Sequence, residues 1–571
     1  MKKKHEVMRA GFVAAGLAAM LSLTAPVFAQ EDVHEGIERE VVLDEKYILL
    51  PVENEAPDKI LSLVVDGKKV RELVINLARD KTDWWAFIET KEFAGKRATL
   101  RAERLTAEQL DSFFAIRVDS TYPGEDEVYQ EKLRPQLHFS SKRGWNNDPN
   151  GMMYYGGEYH LFYQHNPYGW DWGNMTWGHA VSTDLVHWEE IGDALQLDEY
   201  GTMFSGSGVV DWNNTTGFQT GDEPPLITIY TNAGDASPWS EGKPFTQGVA
   251  YSNDRGRTWT KHDQPVQGHI NEGNRDPKVI WWEETKEWVI VLFLSDNRMA
   301  FFRSPDLKRW ELQSVLKSFH ECPELFQLAV DGDEDNKKWI LYGGAGDYFI
   351  GDFDGSHYKP EGGEIKFNYG DCFYASQTFS DIPKEDGRRI QMTWGTNDSP
   401  GMPFNQMIGF PVVLTLHTTD EGLRMFANPV KEIEKLYANE HEWTDVPIPA
   451  DQSVPAPGIE GELFDIEAVL DIGDAEEIGL SIRGEEIIYN VEDEELVFGE
   501  SRAPLKAKDG SIRLRCIVDR TSIEIFANGG QIYMPCKLRA DDANRSIAAF
   551  ARGGAATATS IELRELNSIW K

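Results

Sequence analysis

The stretch Ser182-Thr183-Asp184-Leu185-Val186-His187-Trp188 carries the pattern on which the fold prediction depends. It recurs as Ser304-Pro305-Asp306-Leu307-Lys308-Arg309-Trp310, and a version one residue longer stands at Ser252-Asn253-Asp254-Arg255-Gly256-Arg257-Thr258-Trp259. Each copy follows a strand-like run, places Asp in a turn and ends on a Trp that opens the next strand. A repeat built of short strands is typical of a β-propeller, in which each blade is a small sheet. The repeat predicts a propeller without specifying the number of blades.

Strand-like segments also fill the two ends of the chain. Residues 30–135 contain alternating apolar runs, two of them joined at Asp66-Gly67 in a predicted hairpin. We predict a small β-rich accessory domain and linker here, with a short helix at residues 107–117. A second short helix is predicted at residues 430–437. Short alternating strands follow a Pro-rich link, so residues 433–571 are predicted to form a linker and a β-sandwich.

The first 29 residues have the composition of a secretory signal peptide. Residues 1–9 are basic, residues 10–23 are apolar and rich in small side chains, and Val27-Phe28-Ala29 offers a small-x-small cleavage site. The apolar run is too short for a membrane span, and no Cys follows it that would carry a lipid anchor. We therefore expect cleavage after Ala29 and export to the periplasm or the extracellular space.

The charge of the chain argues against two classes of partner. The formal net charge is −38, and loss of the net +3 carried by residues 1–29 leaves −41. Such a surface repels nucleic acid and anionic membranes. It suits an exported enzyme that acts on a neutral polymer. The eighteen Trp and nineteen Tyr suit stacking on sugar rings, but they suit sheet packing equally well.

Three acidic residues lie in turn-forming motifs in the middle of the chain. These motifs are Trp145-Asn146-Asn147-Asp148-Pro149-Asn150-Gly151, Arg275-Asp276-Pro277 and Glu321-Cys322-Pro323. Pro follows each acid directly or one residue later and keeps the preceding residue out of the helical region, so each acid is predicted at a strand end or a tight bend. Three acids in turns are expected by chance among 95 acidic residues, so by themselves these motifs favour surface turns.

Together with two further motifs, these segments resemble glycoside hydrolase family 32, the family of invertases, inulinases and levanases. The further motifs are Phe204-Ser205-Gly206-Ser207 and Asp371-Cys372-Phe373-Tyr374-Ala375-Ser376-Gln377-Thr378, and residues 163–188 also read as family sequence. The resemblance covers residues 136–571 and implies a five-bladed β-propeller catalytic domain at residues 136–432, followed by the sandwich. We therefore predict an all-β protein. Residues 30–135 resemble the extra N-terminal domain of some bacterial fructan hydrolases.

The resemblance implies a retaining mechanism, in which two carboxyl groups lie about 5–5.5 Å apart. It assigns Asp148 as the nucleophile, Glu321 as the general acid/base and Asp276 as a stabiliser of the transition state. The nucleophile must stay ionised and the general acid protonated, and clustered acids raise one another's pKa. Arg275 is expected to keep the neighbouring Asp276 ionised.

The resemblance also implies a pocket for the fructosyl unit. The predicted substrate-binding residues are Asn147, Gln164, Trp172, Phe204, Ser205, Arg275, Asp371 and, near the rim, Trp394. For each aromatic residue, a place in the core is the ordinary alternative. The chain departs from the family's usual Trp-Met-x-Asn-Trp at residues 394–398, where Asp398 replaces the second Trp, and this predicts altered subsites beyond the first fructose. Asn146 replaces the commoner Met beside the nucleophile.

No metal and no cofactor are predicted, because the chemistry needs neither. Asp331, Asp333 and Asp335 alternate like the start of a calcium loop, but Asn336 and Tyr342 stand where an EF-hand needs Gly and Glu. An acidic hairpin turn is therefore the favoured interpretation.

Four cysteines in so long an exported chain do not make a disulfide framework. Cys322 and Cys372 are expected as buried free thiols. Cys516 and Cys536 are candidates for a bridge between neighbouring strands.

The leading hypothesis is an exported fructan β-fructosidase that releases fructose from the non-reducing ends of levan or inulin, with sucrose as a smaller substrate. Its partner is then a fructan polysaccharide or a fructose-containing oligosaccharide. An endo-levanase and a fructosyltransferase are the alternatives within the enzyme class. A non-catalytic fructan-binding protein is the alternative from another class, and the full set of three acids disfavours it.

Overall fold

The computed structural model describes residues 33–541 and 543–570, so the predicted signal peptide lies outside the described residues. In this part of the chain one segment is α-helical, α1 (Ala107–Ala115), and no helix is long and apolar enough to cross a membrane. The helix predicted at residues 107–117 is confirmed. It begins with a capping box, because the Thr106 side chain accepts from the Gln109 backbone N–H and the Gln109 side chain accepts from the Thr106 backbone.

The N-terminal strands form two small sheets over a shared apolar core. The strands are β1 (Val33–Val42), β2 (Tyr47–Val52), β3 (Lys59–Val65), β4 (Lys68–Ile75), β5 (Trp84–Glu89), β6 (Arg97–Thr106) and β7 (Arg117–Asp119). One sheet has the order β1-β6-β3-β4 and the other β5-β2-β7. The predicted hairpin is confirmed, because Val65 pairs with Lys68 and both Asp66 and Gly67 have positive φ, as an Asp-Gly type I′ turn requires.

Five four-stranded antiparallel units follow, and each is one blade of a β-propeller. The first three blades are β8 (Gly144–Tyr155), β9 (Glu158–Asn166), β10 (Thr176–Ser182), β11 (Glu189–Leu195); β12 (Thr202–Val210), β13 (Leu226–Ala233), β14 (Thr246–Ser252), β15 (Thr260–Lys261); and β16 (Arg275–Trp282), β17 (Glu287–Leu294), β18 (Arg298–Ser304), β19 (Glu311–Lys317). The last two are β20 (Glu324–Val330), β21 (Asp333–Tyr342), β22 (Tyr348–Phe353), β23 (Tyr358–Pro360); and β24 (Tyr374–Thr378), β25 (Arg389–Gly395), β28 (Val412–Thr419), β29 (Gly422–Pro429), with β26 (Phe404–Asn405) and β27 (Met407–Ile408) between β25 and β28.

The repeat that predicts the propeller forms the turn between the third and fourth strands of the first three blades. Asp184, Asp254 and Asp306 accept hydrogen bonds from backbone N–H groups two to four residues further on. Asp354 does the same between β22 and β23 in the fourth blade. That copy lacks the Trp, so the sequence pattern did not reveal it.

The ring of blades closes through non-local pairs. Short β26 pairs in parallel with β8, joining Phe404 to Gly144 and Asn405 to Trp145. The predicted acidic hairpin is confirmed, since β20 and β21 are joined by a turn at Asp331 and Gly332.

A two-sheet sandwich completes the fold. Its strands are β30 (Tyr437–Ile448), β31 (Gln452–Pro455), β32 (Phe464–Asp471), β33 (Glu477–Ile482), β34 (Glu485–Asn490), β35 (Glu495–Phe498), β36 (Ser501–Pro504), β37 (Ser511–Val518), β38 (Ser522–Ala527), β39 (Ile532–Lys537), β40 (Ile547–Arg552) and β41 (Ala556–Leu566). The sheet orders are β30-β41-β32-β37-β38-β39 and β31-β40-β33-β34-β35-β36. The sandwich that the sequence predicts is therefore confirmed.

The short helices outside α1 are 3₁₀-helices. They span Lys91–Phe93, Glu125–Glu127, Pro238–Ser240 and Lys431–Leu436. The last corresponds to the helix predicted at residues 430–437. Its two buried side chains, Ile433 and Leu436, are three residues apart, and this spacing places them on one side of a 3₁₀-helix.

The bridge between Cys516 and Cys536, which the sequence left open, is not formed. Cys516 lies on β37 and Cys536 on β39, and β38 separates the two strands. Both cysteines are buried free thiols. Cys372 is also buried and free, and Cys322 is free but only half-buried.

A buried histidine joins the propeller to the sandwich. His138 Nδ1 lies 2.8 Å from Asp519 Oδ2, and His138 Nε2 lies 3.2 Å from Glu524 Oε1. Burial lowers the pKa of His138, but the two carboxylates outweigh burial and raise that pKa to about 9. Asp519 also accepts the backbone N–H of Gln136 and Leu137, so the two acids have a structural role between the propeller and the sandwich.

Candidate active site

The first strands of four blades lose their regular pairing near the centre of the ring, and two of the three motif acids, Asp148 and Asp276, lie in these irregular stretches. The pairing of β8, β12, β16 and β24 with the next strand shifts register, at residues 146–149, 204–206, 275–278 and 374–377. Asp276, Glu321 and Cys322 have φ of 60°, 36° and 46°, a region that such residues rarely adopt. Bulges and strained backbone of this kind cluster at functional sites, because they aim side chains that a regular strand would point elsewhere.

The prolines of the motifs close the space on one side of the acids. Pro149, Pro277 and Pro323 line a cavity of about 10 Å³ together with Asp148 and Asp276. A cavity of that size holds at most one water molecule. A sugar must therefore reach the carboxyl groups from the side of the propeller opposite these prolines.

Asp148 is held by two neutral donors. Ser205 Oγ donates to Asp148 Oδ2 at 2.6 Å, and Asn147 Nδ2 donates to Asp148 Oδ1 at 2.8 Å. Burial raises the pKa of Asp148, and these two hydrogen bonds oppose that rise by stabilising the ionised form.

The Cys322 thiol lies between two of the acids. Its Sγ is 3.7 Å from Asp148 Oδ2 and 3.6 Å from Asp276 Oδ2, and its backbone N–H donates to Asp276 Oδ2 at 3.1 Å. Burial and the nearby carboxyl groups raise the pKa of the thiol well above its usual range. Cys322 is therefore a protonated donor that links the two acids and not a nucleophile.

Glu321 has charged and hydroxyl partners. Arg275 donates to Glu321 Oε2 from Nε at 2.9 Å and from Nη2 at 2.5 Å, and Tyr374 OH donates to Glu321 Oε1 at 2.7 Å. Burial raises the pKa of Glu321, but Arg275 and Tyr374 outweigh burial and hold that pKa below its usual range. Glu321 is thus ionised in the ligand-free site.

The expectation that Arg275 keeps Asp276 ionised holds only in part. Arg275 Nε is 3.6 Å from Asp276 Oδ2 and directs its hydrogen bonds to Glu321 instead. Burial raises the pKa of Asp276 to about 7, against the lowering effect of Arg275. At neutral pH Asp276 is therefore protonated in part.

Aromatic rings lie beside Ser205, the residue that donates to Asp148. The ring of Phe204, next to Ser205 in β12, lies 5.7 Å from the ring of Trp172 and 5.7 Å from that of Phe245. Trp172 is 52% exposed, so much of its surface is free to meet a ligand. On the Glu321 side, the ring of Trp394 lies 6.1 Å from that of Tyr374.

Two of the predicted pocket residues make other contacts. Gln164 is buried, and its Nε2 donates to the Met203 carbonyl at 2.7 Å. Asp371 is exposed, and its Oδ1 accepts from the Lys537 backbone N–H in the sandwich at 2.9 Å. The structure therefore brings Asn147, Ser205 and Arg275 against the acids, but neither of these two makes a hydrogen bond to them among the described contacts.

Sequence reasoning missed several residues of the site. Tyr374 and Cys322 stand inside the quoted motifs, so their positions were a usable signal for contact with the acids. Thr231, whose Oγ1 accepts from the Asp276 backbone N–H at 3.1 Å, and Phe245 lie outside every motif.

Clustered carboxyl groups in opposite protonation states, with aromatic rings close by, define the site of a glycoside hydrolase. Comparison with known proteins agrees. Residues 138–429 match the N-terminal domain of glycosyl hydrolases family 32, and residues 432–565 match the C-terminal domain of that family. Residues 37–122 match a domain of unknown function.

Individual relatives point the same way. A levanase of Bacillus subtilis (strain 168) is 40% identical over 510 residues, which cover 80% of this chain and 73% of the levanase. The crystal structure of an exo-inulinase from Aspergillus awamori superposes with a TM-score of 0.69 at 26% identity, covering 77% of this chain and all of that one (100%). A fructofuranosidase from Schwanniomyces occidentalis complexed with fructose gives a TM-score of 0.70 at 26% identity, covering 77% and 99% of the two chains. The chain belongs to glycosyl hydrolase family 32, and it is a glycosidase.

Proposed function

We propose that this glycosidase releases terminal β-D-fructofuranosyl residues from levan or inulin, with sucrose as a smaller substrate. The observation that carries the proposal is the convergence of Asp148, Asp276 and Glu321 through Cys322 and Arg275. The levanase and exo-inulinase relatives support the substrate class. The extracellular exo-inulinases among them, together with the basic and apolar N-terminus, support export after cleavage at Ala29.

The proposed reaction has two displacements. Asp148 attacks the anomeric carbon of the terminal fructosyl unit, while Glu321 gives its proton to the departing oxygen. A fructosyl ester of Asp148 results. Glu321 then takes a proton from water while the water oxygen attacks the anomeric carbon. The ester bond to Asp148 breaks, and fructose is released with retained configuration. Ser205 and Asn147 hold Asp148 ionised for the first step.

The ligand-free site must shift a proton before the first step. Glu321 is ionised there, whereas a general acid must be protonated. Sugar hydroxyls that donate to Asp276 favour its ionised form, and a leaving oxygen set against Glu321 excludes water and raises its pKa. Both effects move the proton from Asp276 towards Glu321. Since these acids interact, the pH–rate profile reports the cluster and not one residue.

Early time-point chromatography of products from levan, inulin and sucrose tests the proposal, with protein that begins at Gln30. We expect fructose as the sole early product from both polymers, and methyl β-fructofuranoside when methanol competes with water. Oligosaccharides that appear before fructose would indicate an endo-levanase and contradict exo action. Products longer than the substrate would indicate a fructosyltransferase, and no product at all would favour a fructan-binding protein.

A further inference from the structure

The segment between β9 and β10, residues 167–175, is held from outside its own blade. We name it the rim loop. Its Tyr168 is 3% exposed and belongs to the apolar core beneath the two N-terminal sheets, together with residues such as Leu50 and Trp84. A propeller side chain thus completes the core of the N-terminal domain.

A second anchor ties the rim loop to the edge of an N-terminal sheet. The Val74 backbone N–H donates to Asn174 Oδ1 at 2.7 Å, and Asn174 Nδ2 donates to the Val74 carbonyl at 2.7 Å. Val74 lies on β4, the edge strand of its sheet, so the Asn174 amide pairs with backbone groups that no strand covers. Asn174 Nδ2 also donates to Asn166 Oδ1 at 2.9 Å, which links this edge to the end of β9.

Trp172 lies between the two anchors. Its ring lies against Phe204, and the next residue, Ser205, donates to Asp148. The contact path from the N-terminal domain to the nucleophile therefore runs through a single loop, one aromatic pair and one hydroxyl. Trp172 has a half-exposed ring, and such a ring stacks on a sugar only when its orientation is fixed.

The same edge strand reaches the second blade. Lys69 on β4 places its Nζ 4.7 Å from the centre of the Trp239 ring, in the 3₁₀-helix Pro238–Ser240. Strand β4 therefore contacts loops of two adjacent blades. A unit that served only to cover apolar surface would need neither the paired amide of Asn174 nor this contact.

We infer that the N-terminal domain is a specificity element of the active site: through Tyr168 and Asn174 it positions Trp172 for stacking on the bound fructan. The inference rests on the proposed function for its substrate, but the anchoring itself does not. Asn174 is a positioning residue, since its effect passes through Trp172.

Asn174→Gly is the variant that isolates the anchor. Asn174 has φ of 42°, which Gly tolerates without strain, so the substitution removes the amide and leaves the backbone conformation accessible. Asn214→Gly is the matched control, because Asn214 has φ of 49° in a turn of the second blade, and its Oδ1 accepts only from Gln219 among the described contacts. Trp239→Leu removes the second contact independently, because it leaves the ion pair between Lys69 and Glu72 in place.

Steady-state kinetics on inulin and levan give the first readout. Loss of the three neutral hydrogen bonds of the Asn174 amide, two with Val74 and one with Asn166, predicts a rise in KM of about tenfold for Asn174→Gly, with kcat within about twofold. Trp239→Leu is expected to raise KM by about twofold, because a single cation–π contact is weak. In a Trp172→Ala background, Asn174→Gly should add no further change, because the residue that it positions is gone. Independent, multiplying effects of Asn174→Gly and Trp172→Ala would overturn the inference.

Hydrogen–deuterium exchange gives a readout that needs no activity. Peptides covering residues 167–175 should exchange faster in Asn174→Gly than in the wild type, and at the wild-type rate in Asn214→Gly. Equal exchange in the wild type and Asn174→Gly would overturn the inference even if the enzyme is active. If residues 167–175 exchange faster in Asn174→Gly than in the wild type, but the wild type hydrolyses no fructan, the proposed function is refuted and the anchoring still stands.

Discussion

Removal of the Ser205 hydroxyl should raise the pKa of the Asp148 carboxyl group. Ser205 Oγ donates to Asp148 Oδ2 at 2.6 Å inside a buried cluster. A hydrogen bond to a charged group contributes about 1.5–3 kcal/mol. Since one pKa unit corresponds to about 1.36 kcal/mol, Ser205→Ala should raise the pKa of Asp148 by about one to two units.

The pH profile of kcat/KM on sucrose or inulin measures this shift. The hydroxyl stabilises the ionised carboxylate, so its loss makes Asp148 protonate at higher pH. The limb along which activity falls on acidification reports the cluster that includes Asp148, so it should move upward, by at most about one to two pH units. Well above that limb, Asp148 is ionised in both proteins and the difference in kcat/KM should shrink.

Ser207→Ala is the matched control from the same strand. Ser207 Oγ is buried, donates to the Pro277 carbonyl at 2.8 Å and accepts the Val279 backbone N–H at 2.9 Å. Its loss should lower the melting temperature without moving the acidic limb. Identical limbs in Ser205→Ala and Ser207→Ala, or a shift of Ser205→Ala to lower pH, would refute the reasoning.

Three further outcomes are expected. Glu321→Gln should lower kcat by about 10²–10⁴-fold while levan binding persists, and unchanged turnover would assign the acid/base role elsewhere. Denaturation in an alkylating reagent without reductant should modify all four cysteines, whereas a mass two groups short would restore the Cys516–Cys536 bridge. Folding raises the pKa of His138 from 6.5 to about 9, so protonated His138 stabilises the folded protein. This stabilisation is complete below about pH 6.5 and is lost as the pH rises through 9. This amounts to about 3 kcal/mol, and urea unfolding at pH 6 and pH 9.5 should show it in the wild type but not in His138→Gln.

The local patterns of the sequence were sufficient for the strands and turns. In the repeated motif, Asp184 and Asp306 bind N–H groups two and three residues further on, so the turn depends on neighbours that any reader of the sequence can see. The Asp66-Gly67 hairpin has the same local cause. The pattern did not reveal the fourth blade, because its turn has the hydrogen bonds of Asp354 but lacks the Trp of the other copies.

The family motifs pointed to the three acids, but only the tertiary structure decided how they interact. Arg275 binds Glu321, 46 residues away, in preference to the adjacent Asp276, and burial then sets the pKa of Asp276. Asn174 meets Val74 across 100 residues.

The physical reason is one of range. Strand pattern and turn chemistry depend on a few consecutive residues, and the sequence by itself determined them. Pairing of charges, desolvation and strand neighbours depend on which distant segments the fold brings together. The order of strands in the sheet places β38 between Cys516 and Cys536, and the spacing of the two cysteines in the sequence does not reveal that order.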